Sequence, residues 1–515
     1  MDLIHSFDQG VYLAPDRDCL VMGEKRWSYR DAQRVTMKVA SALRRDGMQE
    51  GSRVAVLSPN DPLAFMCVLG AIRAHMVWVP LNARSSAETL IAILDKFGCQ
   101  VLIYNSVYED IATLAREKVA SLDHLLCTDR ASPLGNTVGQ WIEAASETFD
   151  IEPADPDDVI ILATTGGTTG EPKGVMQTHR FYEHMIASML AVMPAPTPPN
   201  YLAAGPMTHA AGTGTFPVFI RGGTVFVLPA AQPLRIAQAI EEHAITDLVL
   251  PPTVIYGMLA DPTIGAFDFS SLRYFWYGTA PMSPDKVRES IAVFGPCMVS
   301  AWGQSETVAG TFLRSEDLVR NGEIVDDRRL ASCGRKFPFT DVAVMDPDGQ
   351  ILGPNAPGEL VIRSSGVMKG YYRDPEATAE VSRHGWHHTG DVGYVDDEGF
   401  FYIVDRVKDM IISGGFNLFP GEIERVLFSH PAVEDCAVIG VPDEKWGERV
   451  HAVVQLKAGA EVSAEELIAL CRDRLAAMKT PKSLEFRIEL PRSPVGKTLK
   501  RALRDEYWVG HARKV

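Results

Sequence analysis

The amino-acid sequence predicts an α/β protein: a large N-terminal domain of parallel sheets covered by helices, a small barrel-like subdomain, and a small α+β C-terminal domain. Three observations predict it. At 515 residues the chain is too long for one hydrophobic core, so two or more domains are expected. Helical and strand patterns alternate through the first 300 residues or so. The texture then shifts after about residue 330 to short strands broken by Asp-Gly, Pro-Gly and Glu-Gly turns.

In chain order, residues 29–45 carry helical spacing and residues 53–58 are a short β-branched run. A helix over 62–74, a strand over 77–80, a helix over 87–97 and a strand over 101–104 follow, and strands recur at 224–228 and 247–250. This βαβ rhythm argues for parallel sheets. Residues 341–345, 359–363, 393–395 and 400–404 read as strands of an antiparallel or barrel-like region. Beyond Lys408 a mixed pattern resumes, with a helix over 420–428, strands over 437–441 and 450–456, and a helix over 464–476. The polar junction Asp405-Arg-Val-Lys408 is the expected boundary, dividing the chain into 1–404, a 405–408 linker and 409–515.

Composition narrows the class. The chain is 46% hydrophobic and 23% charged, which excludes wholesale disorder. Its formal net charge of -16 argues against generic nucleic-acid binding, so an anionic substrate must be met by local donors. Eight scattered cysteines without a CxxC pair suggest neither a zinc site nor a disulfide framework, as in a cytoplasmic protein with reduced thiols. The N-terminus lacks a signal-peptide layout, and the most apolar stretch, 63–81, is interrupted by Arg73, His75 and Pro80. No stable membrane insertion is therefore expected.

The strongest local signal is Thr164-Thr-Gly-Gly-Thr-Thr-Gly-Glu-Pro-Lys-Gly174, which follows the apolar run 159–163. Glycines let backbone N–H groups approach a polyphosphate, hydroxyls add donors, and Lys173 adds charge. The spacing is not that of a Walker A loop; a flexible surface linker is the plainer alternative. The segment resembles the signature loop of the adenylate-forming superfamily: acyl-CoA and aryl-CoA ligases, adenylation domains and luciferases.

Five further segments resemble that family in its order. Tyr277-Gly-Thr-Ala-Pro281 is similar to the loop flanking the adenine ring, and Ala301-Trp-Gly-Gln-Ser-Glu-Thr307 to a Tyr-Gly-x-Thr-Glu segment. The carboxylate of that segment, here Glu306, helps hold the magnesium bound to ATP. Trp302 stands in the tyrosine place and Ser305 in the threonine place. Trp386-His-His-Thr-Gly-Asp391 matches Trp-x-x-Thr-Gly-Asp, which makes Asp391 the acceptor for the ribose hydroxyls. Asp405 to Asn417 resembles the hinge and the start of a mobile C-terminal domain. Lys408 is then the pivot, Arg406 reaches ribose or phosphate, and Ser413, Gly414, Gly415 and Phe416 line the coenzyme A tunnel. Finally, the segment from Leu490 to Arg501 resembles the motif whose lysine, Lys497, bridges substrate carboxylate and α-phosphate. Taken singly, each has a plainer reading: an exposed acid at Glu306, a turn-capping Asp391, a charged linker, a solvated tail lysine.

The resemblance implies an acyl-CoA synthetase, as in fatty acid activation, with ATP, Mg2+ and coenzyme A as small-molecule partners and a homodimer as an admissible assembly. Thr165, Gly166, Gly167, Thr168, Thr169, Gly170 and Lys173 are expected at the phosphates, with Gly278, Thr279, Ala280, Pro281, Trp302, Gly303, Gln304 and Ser305 around the nucleotide. Thr169, Lys173, Glu306 and Lys497 are the expected catalytic set, Glu306 being the metal ligand. The acyl pocket is expected among His209, Ala210, Gly212, Trp276, Tyr277, Val308, Ala309 and Gly310. Its small and apolar lining favours an apolar monocarboxylic acid, and its glycines suggest room for a bulky group. His209 gates this pocket, touches the substrate carboxylate, or is simply a packed histidine. The alternative acceptor is a carrier-protein thiol supplied in trans.

Overall fold

Short β-branched runs closed by turns build the first half of the chain. The computed structural model describes residues 1–151, 153–164, 172–278, 280–492 and 498–509. These residues form two compact units: Met1–Thr165, Pro172–Asp341 and Ile362–Gly385 in the first, and Val342–Val361 with Trp386–Val515 in the second.

The first unit holds two large sheets. One runs, edge to edge, Gly370–Tyr371, Gly174–Thr178, Val159–Thr164, Val77–Pro80, Arg53–Leu57, Val101–Tyr104 and His124–Cys127. Its last five strands are parallel, while Val159–Thr164 and Gly174–Thr178 form an antiparallel hairpin that closes on the pair Thr164–Gly174. The glycine-rich segment thus leaves the carboxyl end of a parallel strand, where ligands of open α/β sheets are held. It leads into another strand, not a helix, in keeping with a spacing that is not Walker A.

The second sheet has nine strands, in the order Arg335–Lys336, Thr307–Leu313, Met298–Gln304, Tyr274–Tyr277, Asp247–Leu250, Asn200–Ala203, Thr224–Val227, Asp18–Met22 and Lys25–Ser28. Helices cover both. Tyr29–Arg45 starts at a capping box, Ser28 accepting from the Asp31 amide while Asp31 accepts from that of Ser28. Pro62–Arg73 is buried along nearly its whole length. Arg73, which interrupts the apolar stretch, is only 1% exposed and is matched by Asp8 at 2.6 Å. Among the described residues no helix is long and apolar enough to cross a membrane, and none of the cysteines forms a disulfide.

Within the second unit, Trp386–Val395 pairs antiparallel with Phe401–Arg406. Both strands outrun the expected segments, so Asp405 and Arg406 lie in regular strand, and the polar junction continues as one 3-10 turn, Val407–Asp409. Farther on, Val433–Asp443 and Gly447–Leu456 form a long hairpin joined in parallel by Ser483–Phe486. These strands also exceed the expected 437–441 and 450–456. Cross-strand pairing carries the ladder past the apolar residues through Pro442–Glu448 and Asp443–Gly447. The helices Pro420–Phe428 and Ala464–Arg474 share a core with this sheet built on Ile423, Leu427, Val438, Val454, Leu467 and Cys471.

Candidate active site

Around the glycine-rich segment the sequence places charge, and the fold supplies an aromatic bridge. Strand Gly370–Tyr371 pairs with Val175 and Met176, just past Lys173. That pairing brings the Tyr371 ring beneath the ammonium, with Lys173 Nζ 4.8 Å from the ring centroid. The Tyr371 hydroxyl donates to Glu306 Oε1 at 2.8 Å. Burial first, then the Glu306 charge, pushes the phenol above its ordinary pKa, so it remains a protonated donor. Glu306 itself is fixed through backbone, since Met368 N donates to its carbonyl at 2.8 Å. The preceding residue is fixed too: Gln177 Nε2 donates to Ser305 O at 2.8 Å, and Tyr182 in turn donates to Gln177 at 2.7 Å. Tyr371 thus joins two expected site residues that lie 133 positions apart, Lys173 and Glu306. Thr165, Gly166, Gly167, Thr168, Thr169, Gly170, Thr279 and Lys497 lie outside the described residues.

Gly278, Ala280 and Pro281 run from the carboxyl end of Tyr274–Tyr277 toward the helix Pro284–Phe294, which Ser283 caps. Trp302 and Gly303 lie on Met298–Gln304, whose hairpin partner Thr307–Leu313 carries Val308, Ala309 and Gly310. Met207, Val299, Val308 and Phe312 are buried in one apolar cluster, and Trp276, Ala301 and Ala309 pack against it. Trp276 and Phe312 meet at 5.0 Å between ring centres.

Two structural features bear on the expected pocket. Strand alternation sends Trp276 and Tyr277 to opposite faces, so only Trp276 joins that cluster while Tyr277 is buried elsewhere. Gly310 and Gly212 are also closely walled. A Cβ at Gly310 would lie 2.7 Å from the Trp302 ring and 2.8 Å from Ile362, and one at Gly212 would lie 1.8 Å from the Met207 carbonyl oxygen. Protein already fills the space beside both. Trp302, in the place of the family's tyrosine, is buried, at 7% exposure.

His209 and Ala210 are exposed at the start of the short helix Ala210–Thr213. Protein atoms crowd the imidazole although its edge is open. That desolvation, with the Arg84 charge second, holds its pKa below the ordinary histidine value, and Thr208 Oγ1 meets its Nδ1 at 2.9 Å. The loop before it hangs on a residue that the sequence did not single out. Asn60 accepts from Met207 N at 2.9 Å and donates to the carbonyls of Gly205 at 2.8 Å and Leu228 at 2.9 Å. No spacing rule connects Asn60 to a loop 147 residues away. Tyr371 was equally silent, lying in no segment that suggested phosphate chemistry.

In the second unit, the ladder sets Asp391 opposite Arg406, and Arg406 Nε reaches Asp391 Oδ1 at 3.1 Å. Asp391 is 6% exposed and its amide receives support from Thr389 Oγ1 at 3.1 Å. Glu359 holds the turn before it, accepting from Gly390 N at 2.9 Å and meeting His388 Nδ1 at 2.7 Å. Ser413 and Phe416 close a two-residue hairpin through Gly414 and Gly415, whose φ values of 59° and 81° suit a type I′ turn. A Cβ at Gly414 would lie 2.5 Å from the Trp446 ring, so close approach as well as φ requires glycine there. Lys408 follows on the 3-10 turn, its carbonyl accepting from Arg504 at 3.1 Å.

Comparison with known proteins gives these features a context. Residues 7–372 match the AMP-binding enzyme family, and residues 422–497 match the AMP-binding enzyme C-terminal domain. A feruloyl-CoA synthase from Amycolatopsis sp is 36% identical over 96% of this chain and 97% of its own length. The long-chain-fatty-acid–CoA ligase FadD13 of Mycobacterium tuberculosis is 35% identical over 96% of this chain and 95% of its own. The fold superposes on the amide bond synthetase McbA from Marinactinospora thermotolerans with a TM-score of 0.89 at 27% identity, covering 98% of this chain and 100% of that one.

Proposed function

The chain belongs to the AMP-binding enzyme family as an adenylate-forming acyl-CoA ligase, and from that premise we propose that it joins an apolar monocarboxylic acid to coenzyme A through an acyl-adenylate. The observation that carries the reading is the Lys173–Tyr371–Glu306 arrangement, which sets a cation for phosphate oxygens beside a carboxylate for a metal. Enzymes of this kind use ATP, Mg2+ and coenzyme A. One half-buried carboxylate, already oriented by a neutral donor on Oε1, fits a magnesium ion held otherwise by phosphates and water. When bound, that ion would be held by Glu306 and would neutralise charge on the phosphates.

In this reading residues 1–404 bind ATP and acid, 405–408 act as the hinge, and 409–515 carry Lys497. The substrate carboxylate attacks the α-phosphorus in line, pyrophosphate leaves, and the acyl group gains AMP as a good leaving group. Lys173 with Thr168 and Thr169 orders the departing phosphates, Lys497 meets charge building at the α-phosphate, and Asp391 with Arg406 holds the ribose. Coenzyme A then attacks the acyl carbonyl and AMP departs, after Lys497 withdraws and the Gly414–Gly415 turn advances. The apolar cluster of Met207, Val308 and Trp276 supports a substrate without a second charge.

The test is pyrophosphate release over short, medium, long, aromatic and polycyclic acids, with coenzyme A, a carrier protein or an amine as acceptor, beside Lys497→Ala. The reading expects an apolar acid and coenzyme A to give the fastest turnover, and Lys497→Ala to lose adenylation. Silence with every acid overturns it. A faster reaction with carrier protein or amine moves the acceptor to that class.

A further inference from the structure

The long hairpin of the second unit carries a buried carboxylate, Asp435, that bonds to Arg492 and Thr498 in the segment from Leu490 to Arg501. On strand Val433–Asp443 the ladder pairs Val433 with Leu456 but Asp435 with Gln455, so one extra residue is inserted at Glu434. The bulge resets the strand's alternation. Val433, Cys436 and Val438 share the core under the helices, whereas Ala437, Ile439 and Val441 pack with Leu490 and Leu503 on the other face. Asp435 falls in step with this second set, at 9% exposure.

There its carboxylate joins both stems of the lysine segment. Oδ2 accepts from the Arg492 guanidinium and from Thr498 Oγ1 at 3.0 Å, while Oδ1 accepts from the Cys436 amide at 2.8 Å. Arg492 and Thr498 also face each other as a β-bridge, and Leu499 N donates to Pro491 O at 2.7 Å. Gln455, opposite Asp435, accepts from Leu490 N at 3.3 Å. Arg492 and Thr498 are the described residues on either side of 493–497, and Thr498 is bonded directly to Lys497.

We propose that Asp435 is a positioning residue for the adenylation half-reaction, bonding to both Arg492 and Thr498, the latter the direct chain neighbour of Lys497. The proposal rests on the role given to Lys497 above. Two charge-assisted bonds on one buried oxygen suit this task, because bonds to an ionised acceptor are shorter and stronger than those to a neutral one. Lys497 is given a role in adenylation and none in thioester formation, so the two half-reactions are expected to respond differently.

The experiment compares Asp435→Ala and Thr498→Val with wild type and Lys497→Ala, using the best acid of the screen above and its synthetic acyl-adenylate. Pyrophosphate release reads the first half-reaction; thioester formation from the preformed adenylate and coenzyme A reads the second. The expected result is a fall in the first of about 10–100-fold for Asp435→Ala, as for a catalytic group displaced by about 1 Å, with a change under about twofold in the second. Thr498→Val, which keeps the shape and removes one bond, shows the same split on a smaller scale and decides the matter if the alanine variant does not fold. Equal loss in both half-reactions, or no loss in either, overturns the proposal. Retained adenylation in Lys497→Ala instead overturns the role of the lysine, whatever the Asp435 variants do.

Discussion

Replacing Tyr371 by phenylalanine removes one oxygen from the centre of the proposed ATP site and leaves the ring. The lost bond is a hydroxyl donating to a carboxylate at 2.8 Å, between a buried tyrosine and a half-buried glutamate. Bonds to charged groups contribute about 1.5–3 kcal/mol, and partial exposure of Glu306 places this one near the lower end. At about 1.4 kcal/mol per tenfold, Tyr371→Phe should raise the KM for magnesium-ATP about tenfold. The ring face toward Lys173 survives in phenylalanine, 4.8 Å from the ammonium in the native protein. Tyr371→Leu removes that face too and should cost a further ~0.5–1 kcal/mol, or two- to fivefold. The assay is the initial rate of pyrophosphate release against ATP and, separately, against Mg2+, with melting temperature as the control for folding. A folded Tyr371→Phe protein with unchanged half-saturation for both would show that the tyrosine only packs, and the reasoning would fail.

Gly310→Ala should destabilise the first unit by about 1–3 kcal/mol, because its Cβ would press on Trp302 and Ile362 at under 3 Å; an unchanged denaturation midpoint would refute this. Stability should also fall on acidification between the ordinary histidine pKa and the folded value of His387, which burial lowers to about 4. In that window the unfolded chain binds a proton that the folded chain refuses, so stability rises with pH and is lost as pH drops. The full span corresponds to roughly 3 kcal/mol for this one group. His179, His184 and His451 are lowered by burial as well and add in the same direction. His387→Gln should flatten the melting-temperature profile between pH 6.5 and 4; an identical slope would contradict the assignment.

How much could be read from the chain depends on whether the determinant was local. The strands at Arg53–Leu57 and Val101–Tyr104 and the helix Tyr29–Arg45 are legible as short apolar runs and helical spacing, and the helix falls on the expected residues. At the Gly414–Gly415 turn both glycines have positive φ, and at Gly414 a close ring is a second reason for glycine. Glycine carried less information at Gly310 and Gly212, where the same absence of a side chain reflects protein filling the space. Trp276 and Tyr277 were both expected at the pocket from one family-like segment, yet a strand's period of two sends neighbours to opposite faces. Asn60, Tyr371 and Asp435 were invisible for one reason. Each acts through a partner far off in sequence, brought near by a loop clamp, a sheet edge or a bulge, and no local pattern encodes such a meeting.

The central claim is that ATP activates the acid by forming a mixed anhydride with AMP. It is tested most directly by running the complete reaction with a substrate acid carrying 18O in both carboxylate oxygens and reading the phosphate products by mass spectrometry. Attack of the carboxylate on the α-phosphorus, followed by thiol attack on the acyl carbon, leaves one labelled oxygen in AMP for every thioester formed. The account predicts one label per AMP and none in pyrophosphate. Unlabelled AMP, or label appearing in inorganic phosphate with ADP as the nucleotide product, would contradict it.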